Sequence, residues 1–180
     1  MKQELRIREL INRLARLDTA QAWENGLNPT QSAVLDYLSR ANRFSRSPSH
    51  VADYLGTTRG TISQSLKSLG QKGYVTERRS LMDKRIISFD LTNKGIEAAL
   101  APNVMADTVS KMNESSGHKL LTSLDALLVL LLKENGGRSF GICKECKHFV
   151  SRRKGGHCSL LSEDLSQKDV TQICHEQDSI

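Results

Sequence analysis

Four cysteines stand near the end of a chain of 180 residues that has no other cysteine. They form one C-x2-C pair followed by two single cysteines at gaps of 11 and 15 residues, namely Cys143, Cys146, Cys158 and Cys174. Four thiolates are enough to ligate a tetrahedral zinc ion or a [4Fe–4S] cluster. Because a segment this short buries little apolar surface, a bound metal would supply stability that its core cannot. We therefore predict a metal-binding appendage at residues 135–180, with these four cysteines as ligands.

The spacing of the cysteines bears on which metal they bind. Structural zinc sites usually use two tight knuckles, whereas only Cys143 and Cys146 form one here. Lone ligands from separate loops suit the larger cluster. The run C-x2-C-x2-F, then G-x-C-x-L and a final cysteine, also resembles high-potential iron–sulfur proteins, at different gaps. We expect a [4Fe–4S] cluster, with zinc as the alternative and metal-free reactive thiols as a third reading.

The other polar residues of the appendage are expected outside the ligand set. Three histidines lie beside the cysteines: His148, His157 and His175. Any of them could replace one cysteine ligand, but we expect them around the metal or at the surface. Three carboxylates are expected to be solvated, on the polar side of an amphipathic turn: Glu163, Asp164 and Asp169. A charged N-terminus without a signal-peptide pattern leads us to expect a cytoplasmic protein, where thiols stay reduced and metal binding is favoured over disulfides.

The positive charge of the chain is concentrated in its middle. Residues 43–94 hold 10 Lys and Arg against 4 Asp and Glu, and the whole chain has a net charge of +6. A basic block inside a folded domain is typical of a surface that meets a phosphate backbone. The charge alone is also compatible with an ordinary solvated face. The residue pattern inside the block must therefore distinguish between a phosphate-binding surface and a solvated one.

That pattern predicts a winged helix-turn-helix. Asn28-Pro29 and Ser47-Pro48 each begin a helix in the way that an N-cap followed by proline does. Gly56 ends the short helix that starts at Ser47, and a further helix with Ile62 inward follows it. Two strands, at residues 74–77 and 86–91, then enclose a basic loop. The fold class we expect is mainly α with a small β wing.

The second helix of this unit has the side chains of a recognition helix, because short polar and basic groups can reach base edges and phosphates. Arg59 and Gln64 are best able to make two hydrogen bonds to one base, guanine and adenine respectively. The candidate DNA contacts on this helix are Thr57, Thr58, Arg59, Thr61, Ser63, Gln64 and Lys67.

The wing supplies a second set of candidate contacts, to phosphates or to the minor groove. Its cations are Arg78, Arg79, Lys84 and Arg85. Asp83 lies among them, and a carboxylate there would repel phosphate unless it held an arginine in place. We therefore expect Asp83 to orient Arg85 or Arg79.

Residues 28–95 resemble the MarR family of winged-helix transcription regulators. The matching pieces are LNPTQSAVLDYL (27–38), HVADYLGTTRGTISQSLKSLGQKGYV (50–75), the wing DKR (83–85) and DLTNKG (90–95). The resemblance implies an obligate homodimer that places two recognition helices in successive major grooves of a pseudo-palindromic operator in double-stranded DNA. It also implies a small-molecule effector, although no residue marks a pocket. Residues 1–142 contain no cysteine, which excludes thiol oxidation in this part of the chain.

The helices that flank the winged unit complete a first domain, at residues 1–134. Apolar stripes at residues 5–20 and 120–132 suit a helical dimer interface, or packing within one chain. The apolar block at 124–132 carries Asp125 and is too short to span a bilayer, so we expect a buried core helix and no membrane partner. We also expect residues 115–119 to separate that helix from the preceding one.

Two classes of function fit these features. The first is a sequence-specific DNA-binding regulator, which we expect to be a repressor, in which the metal in the appendage modulates DNA binding. Alternatively, the metal in such a regulator is a purely structural zinc ion. The second is an iron–sulfur electron-transfer protein that carries a winged helix. No phosphate-binding glycine loop and no nucleophile–base arrangement is recognisable, so we expect no enzyme activity.

Overall fold

A computed structural model describes residues 2–20, 26–79 and 86–178 of the chain. Its helices are α1 Gln3–Ala20, α2 Pro29–Arg40, α3 Pro48–Tyr54, α4 Arg59–Gln71, α5 Asn93–Ala99, α6 Val104–Ser110 and α7 Glu114–Asn135. The strands β1 Val75–Arg79 and β2 Ile87–Leu91 form an antiparallel pair, with Val75 opposite Leu91. This arrangement confirms the predicted winged helix-turn-helix, mainly α with a small β wing.

The helix starts follow the predicted capping chemistry. Asn28 caps α2, and its side chain and that of Gln31 exchange hydrogen bonds with each other's backbone N–H groups. Ser47 and Thr58 cap α3 and α4, and their side chains accept hydrogen bonds from the backbone N–H groups of His50 and Thr61. Gly56 adopts a left-handed φ of +60° after α3, which a residue with a Cβ would adopt only with strain. Local sequence therefore fixes where the helix-turn-helix bends.

One core holds this unit together. Residues from α2, α3 and α4 are fully buried in it: Val34, Leu35, Tyr37, Leu38, Val51, Ile62, Leu66 and Leu69. Val75 and Phe89 of the wing are buried in the same core. The buried positions of α4 are those that the sequence pattern turns inward, so its opposite face is left for solvent or a ligand.

The C-terminal helical region differs from the prediction at one boundary. Pro102 lies between α5 and α6, where a proline interrupts a helix. The break predicted at residues 115–119 is wrong, because Asn113 caps a helix that begins at Glu114 and runs to Asn135. Serine and glycine are tolerated in the first turns of a helix, where the cap already satisfies backbone donors.

The apolar faces of α1 and α7 are exposed. Neither helix contains a buried residue, so the core helix predicted at 124–132 is not buried within one chain. By length and composition alone, α7 could also cross a membrane, since the helix extends well beyond the short apolar block. Packing of these stripes inside a monomer, one of the two readings of the sequence, is therefore wrong.

Residues 141–178, here called the cysteine module, form a small β-rich unit. Strands β3 Gly141–Ile142 and β7 Ile173–Cys174 pair with each other. Strands β4 Phe149–Ser151, β5 Gly156–Cys158 and β6 Glu163–Leu165 form an antiparallel sheet. The sequence pattern predicted none of these strands, which are only two or three residues long.

Candidate nucleic-acid interface and cysteine module

Helix α4 presents a polar face opposite its buried stripe. The exposed residues among the predicted DNA contacts are Thr58, Arg59, Thr61, Ser63, Gln64 and Lys67, whereas Thr57 is half-buried. Thr58 accepts a hydrogen bond from the Thr61 backbone N–H at 3.1 Å, and their hydroxyl oxygens lie 2.9 Å apart. These two hydroxyls thus serve the helix cap, while Arg59, Gln64 and Lys67 supply the longer side chains of the face.

The wing arginines that the structure describes are both paired with carboxylates. Arg78 pairs with Asp90, and Arg79 Nε lies 2.7 Å from Glu77 Oε1. The predicted orienting role of Asp83, and the contacts of Lys84 and Arg85, lie outside the described residues. Asp90 is the orienting carboxylate found here, a role that the sequence pattern did not predict. Asp90 lies opposite Thr76 in the paired strands, and this register comes from the fold.

Asp90 also joins the wing to the segment before α3. Arg46 Nη1 lies 2.7 Å from Asp90 Oδ1, and the same guanidinium donates from Nε and Nη2 to the carbonyl oxygen of Ala41. The backbone N–H of Phe89 in β2 donates to the Arg46 carbonyl at 3.1 Å. The wing and the segment 41–46 are therefore held as one unit.

A cavity of about 740 Å³ opens between the helices. It is lined by residues of α1, α2, α5 and α6, among them Asp18, Ser32, Asp36, Met105 and Val109. The cavity lies beside α2, and no side chain in its lining selects a ligand class.

Three of the four cysteines belong to one apolar cluster in the cysteine module. Cys143 and Cys174 are buried with Leu165, and Cys158 packs against them with Phe149 and Phe44. Cys146 is also buried, and its sulfur accepts a hydrogen bond from the Asp178 backbone N–H at 3.5 Å. All four are free thiols. The fold therefore gathers residues that lie far apart in the sequence.

Cys143 and Cys174 are coupled through a shared hydrogen bond. That bond, together with the backbone N–H of Glu176, lowers the pKa of Cys174 to about 6. The same hydrogen bond and burial raise the pKa of Cys143. Cys174 is thus the thiol of the pair that carries negative charge more readily.

The donor set of the cysteine module suits the predicted metal. Thiolates in a dry pocket that accept N–H hydrogen bonds are the usual surroundings of zinc–thiolate and iron–sulfur centres. Within residues 2–20, 26–79 and 86–178, however, no three ligating side chains are close enough to hold one ion. His157 instead pairs with Asp164, with Nδ1 and Oδ1 2.9 Å apart.

The expectation that the acidic residues of the module are solvated is wrong for Asp169. Its carboxylate is 5% exposed and accepts hydrogen bonds from the Ser166 hydroxyl and backbone N–H. It also pairs with Arg43 of the winged unit at 3.2 Å. A buried carboxylate needs such partners. One of them, Arg43, lies far away in the sequence, so the local sequence pattern could not predict the pair.

The cysteine module packs against the winged unit at the segment before α3. Ala41 forms a parallel β-bridge with Ile173, and Ile173 is buried in the core of the winged unit. The ring of His175 stacks on that of His50 in α3, with centroids 3.3 Å apart. Burial lowers the pKa of both imidazoles, to about 4 for His50. The neutral rings can therefore stack without charge repulsion.

The winged unit is similar to known proteins in sequence and in fold. Residues 25–86 match the sequence model of the MarR family. No curated protein matches the chain at a significant level. Among solved structures, a MarR transcriptional regulator from Methanosarcina mazei Go1 is 23% identical, with a TM-score of 0.60, over 71% of this chain and 96% of its own.

Two further structures share the MarR-like fold. The transcriptional regulator SlyA is 18% identical with a TM-score of 0.59, over 74% of this chain and 96% of its own. The MepR–DNA complex of S. aureus is 19% identical with a TM-score of 0.58, over 72% of this chain and 98% of its own. At these identities the likeness establishes the fold. These structures leave more than a quarter of the present chain without a counterpart.

Proposed function

We propose that the chain is a homodimeric, cytoplasmic MarR-like transcription regulator without enzyme activity. It binds a pseudo-palindromic operator in double-stranded DNA as a repressor, and a metal centre in the cysteine module modulates that binding. The observation that carries the proposal is the exposed polar face of α4 in a segment that matches the MarR family. A protein of the same fold, MepR, has been crystallised with DNA, which supports this role for the face.

The exposed cations of α4 and of β1 support phosphate contact. Arg59 and Lys67 lie on α4, which packs against β1, and the exposed Arg78 of β1 is held by Asp90. Such paired arginines are restricted in position and lose less conformational freedom on binding. In this role α4 reads bases and the wing fixes the register of the protein on the duplex.

The test begins with selection of a preferred duplex from random sequences by the wild-type protein. Changing Arg59→Ala should then weaken binding of that duplex by roughly 5- to 150-fold and relax the preference at one base position. Changing Lys67→Ala should weaken all duplexes alike and lower the salt dependence by about one ion. The measurement is fluorescence anisotropy at several salt concentrations.

The matched control is Lys111→Ala, because Lys111 is an exposed lysine at the C-terminal end of α6 and is not among the candidate DNA contacts. It should leave affinity within about twofold of wild type. A wild-type protein that selects no sequence, or an Arg59→Ala variant that binds like the control, would contradict the regulator.

The metal proposal needs a separate test, since DNA binding alone says nothing about it. We propose a [4Fe–4S] cluster held by Cys143, Cys146, Cys158 and Cys174, with zinc as the alternative. Protein purified without oxygen should be brown and contain about four irons per chain if the cluster is right. A colourless protein with one zinc per chain would instead favour the zinc clamp.

Replacing one candidate ligand gives the control for this measurement. Cys158→Ser should lose the metal, while Ser159→Ala, its exposed neighbour in sequence, should retain it. Equal metal content in the two variants, or no metal in the wild type, would rule out the proposed centre and leave reactive thiols.

A further inference from the structure

Residues 41–46 lie between the cysteine module and the helix-turn-helix. They follow α2 directly and end beside Ser47, the residue that caps α3. Asn42 and Ser45 are completely buried, although both are polar. Buried polar groups must be hydrogen-bonded, so the position of this segment depends on the partners that it finds.

Asn42 makes its bonds to both sides. On the winged side its Oδ1 accepts from the Phe44 backbone N–H at 3.1 Å and from the Ser45 hydroxyl at 2.7 Å. On the module side its Nδ2 donates to Cys143 Sγ at 3.1 Å, and its backbone N–H donates to the Ile173 carbonyl at 2.9 Å. One side chain therefore joins a cysteine sulfur to the turn that precedes α3.

Ser45 and Arg43 add two further links across the same boundary. Ser45 Oγ accepts from the His175 backbone N–H at 2.9 Å, next to Cys174. Arg43 Nη2 donates to the Asp164 carbonyl at 2.7 Å, in addition to its pair with Asp169. Besides Cys143, the module contacts this segment through β6, the following turn, and β7 with the residue after it.

The segment also continues into the DNA-binding surfaces. Arg46 reaches Asp90, which pairs with Arg78 of the wing. Tyr37 of α2 donates to the Ser45 carbonyl at 2.7 Å, which anchors the same turn to the core. A displacement of residues 42–45 would therefore reach both the start of α3 and an arginine of the wing.

We infer that the cysteine module regulates DNA binding through residues 41–47 of its own chain, with Asn42 as the positioning residue that senses the Cys143 sulfur. The inference rests on the proposed function and names the route of its regulation. Binding or loss of the proposed metal at the cysteine sulfurs alters the acceptor of the Asn42 hydrogen bond, and the turn before α3 then moves or loosens. A second possible route runs through α7 and changes the spacing of the proposed dimer, and it predicts different results.

The test is a double-mutant cycle in the full-length protein. Cys146→Ser perturbs the cysteine pocket, and Asn42→Asp keeps the Oδ1 acceptor but replaces the Nδ2 donor with a carboxylate oxygen. Binding to the selected duplex is measured for wild type, both single variants and the double variant. We expect Cys146→Ser to change affinity about tenfold or more in the wild-type background, and less than about twofold in the Asn42→Asp background.

A second background guards against an unfolded Asn42→Asp variant. Arg43→Ala removes an exposed side chain that joins the same two parts, and it should also reduce the effect of Cys146→Ser. Lys144→Ala, an exposed change in the module, serves as the control and should leave affinity within about twofold. An equal effect of Cys146→Ser in all backgrounds, or no effect in the wild type, overturns the inference.

Hydrogen exchange distinguishes the two routes without DNA. In Cys146→Ser the amides of residues 41–54 should exchange faster, while those of residues 104–135 stay unchanged. Faster exchange in 104–135 alone would place the route through the dimer helices and overturn the inference. Failure of the regulator itself appears in the wild type, which would then select no duplex.

Discussion

Gly95 lies against the backbone of Tyr74, at the point where α5 begins beside the wing. A Cβ built at this position would stand 2.1 Å from the Tyr74 carbonyl oxygen. Thr92 caps α5 here and donates from its hydroxyl to the Gly73 carbonyl at 2.7 Å, so the two segments cannot separate easily. A single absent side chain thus allows α5 to pack on the wing.

Changing Gly95→Ala should destabilise the protein by about 1–3 kcal/mol or more, because backbone must move to admit the methyl group. Chemical denaturation followed by circular dichroism measures the loss. Gly117→Ala is the matched control: its Cβ would meet nothing within 4 Å, inside α7. There alanine should stabilise the helix by up to about 1 kcal/mol. Equal effects at the two glycines would refute the close contact.

At this scale the sequence predicted residues whose partners are near in the chain, such as the cap at Asn28. It did not predict the roles of Asn42, Asp90 and Asp169. Asn42 binds a sulfur 101 residues away, and Arg43 reaches Asp169 across 126 residues. Hydrogen bonds of this kind leave no periodic pattern, because the fold alone decides which polar groups are buried together.

The helices α1 and α7 contain no buried residue within one chain, so their apolar faces remain uncovered. Their apolar side chains are largely exposed, with Leu17 at 61% and Leu130 at 61% of full exposure. Soluble proteins rarely expose apolar stripes of this length, and symmetric association buries them. The sequence predicted these stripes correctly, but it could not decide between burial within a chain and burial between chains.

Charged substitutions on these helices should therefore break the proposed dimer. Leu14→Asp in α1 and Leu128→Asp in α7 should each yield a monomer, because a carboxylate in an apolar interface loses its hydration. Light scattering coupled to gel filtration gives the mass. The control is Leu160→Asp in the cysteine module, where the wild-type leucine is exposed to a similar degree, 48% against 49% and 51%. It should remain dimeric; a monomeric wild type would contradict the proposed interface.

At the scale of the whole molecule, the cysteine module and the winged unit share a core. Ile173 is buried among residues of α2 and α4, and Phe140 packs its ring edge against Tyr37 and Tyr54. The sequence suggested an appendage joined by a linker, since residues 134–141 are rich in Gly and Ser. Composition predicts a linker well, but it says nothing about where the chain beyond it docks.

Shortening Ile173→Ala should lower the free energy of unfolding of the whole protein by about 2–5 kcal/mol, as expected for a cavity in a core. Val150→Ala is the control, because Val150 is 50% exposed on β4 of the same module. It should change stability by no more than about 0.5 kcal/mol. Urea denaturation measures both. If the two variants unfold alike, the module is not part of the common core.

The bridge between Ala41 and Ile173 also sets the order in which a newly made chain can mature. The Ser45 hydroxyl can accept its hydrogen bond from the His175 backbone N–H only after His175 has been synthesised, 130 residues later in the sequence. During synthesis on the ribosome, the turn before α3 must remain without these partners until β7 emerges. A chain trimmed by a protease before Ile173 would keep the residues of the helix-turn-helix but lose these contacts to the turn that precedes α3.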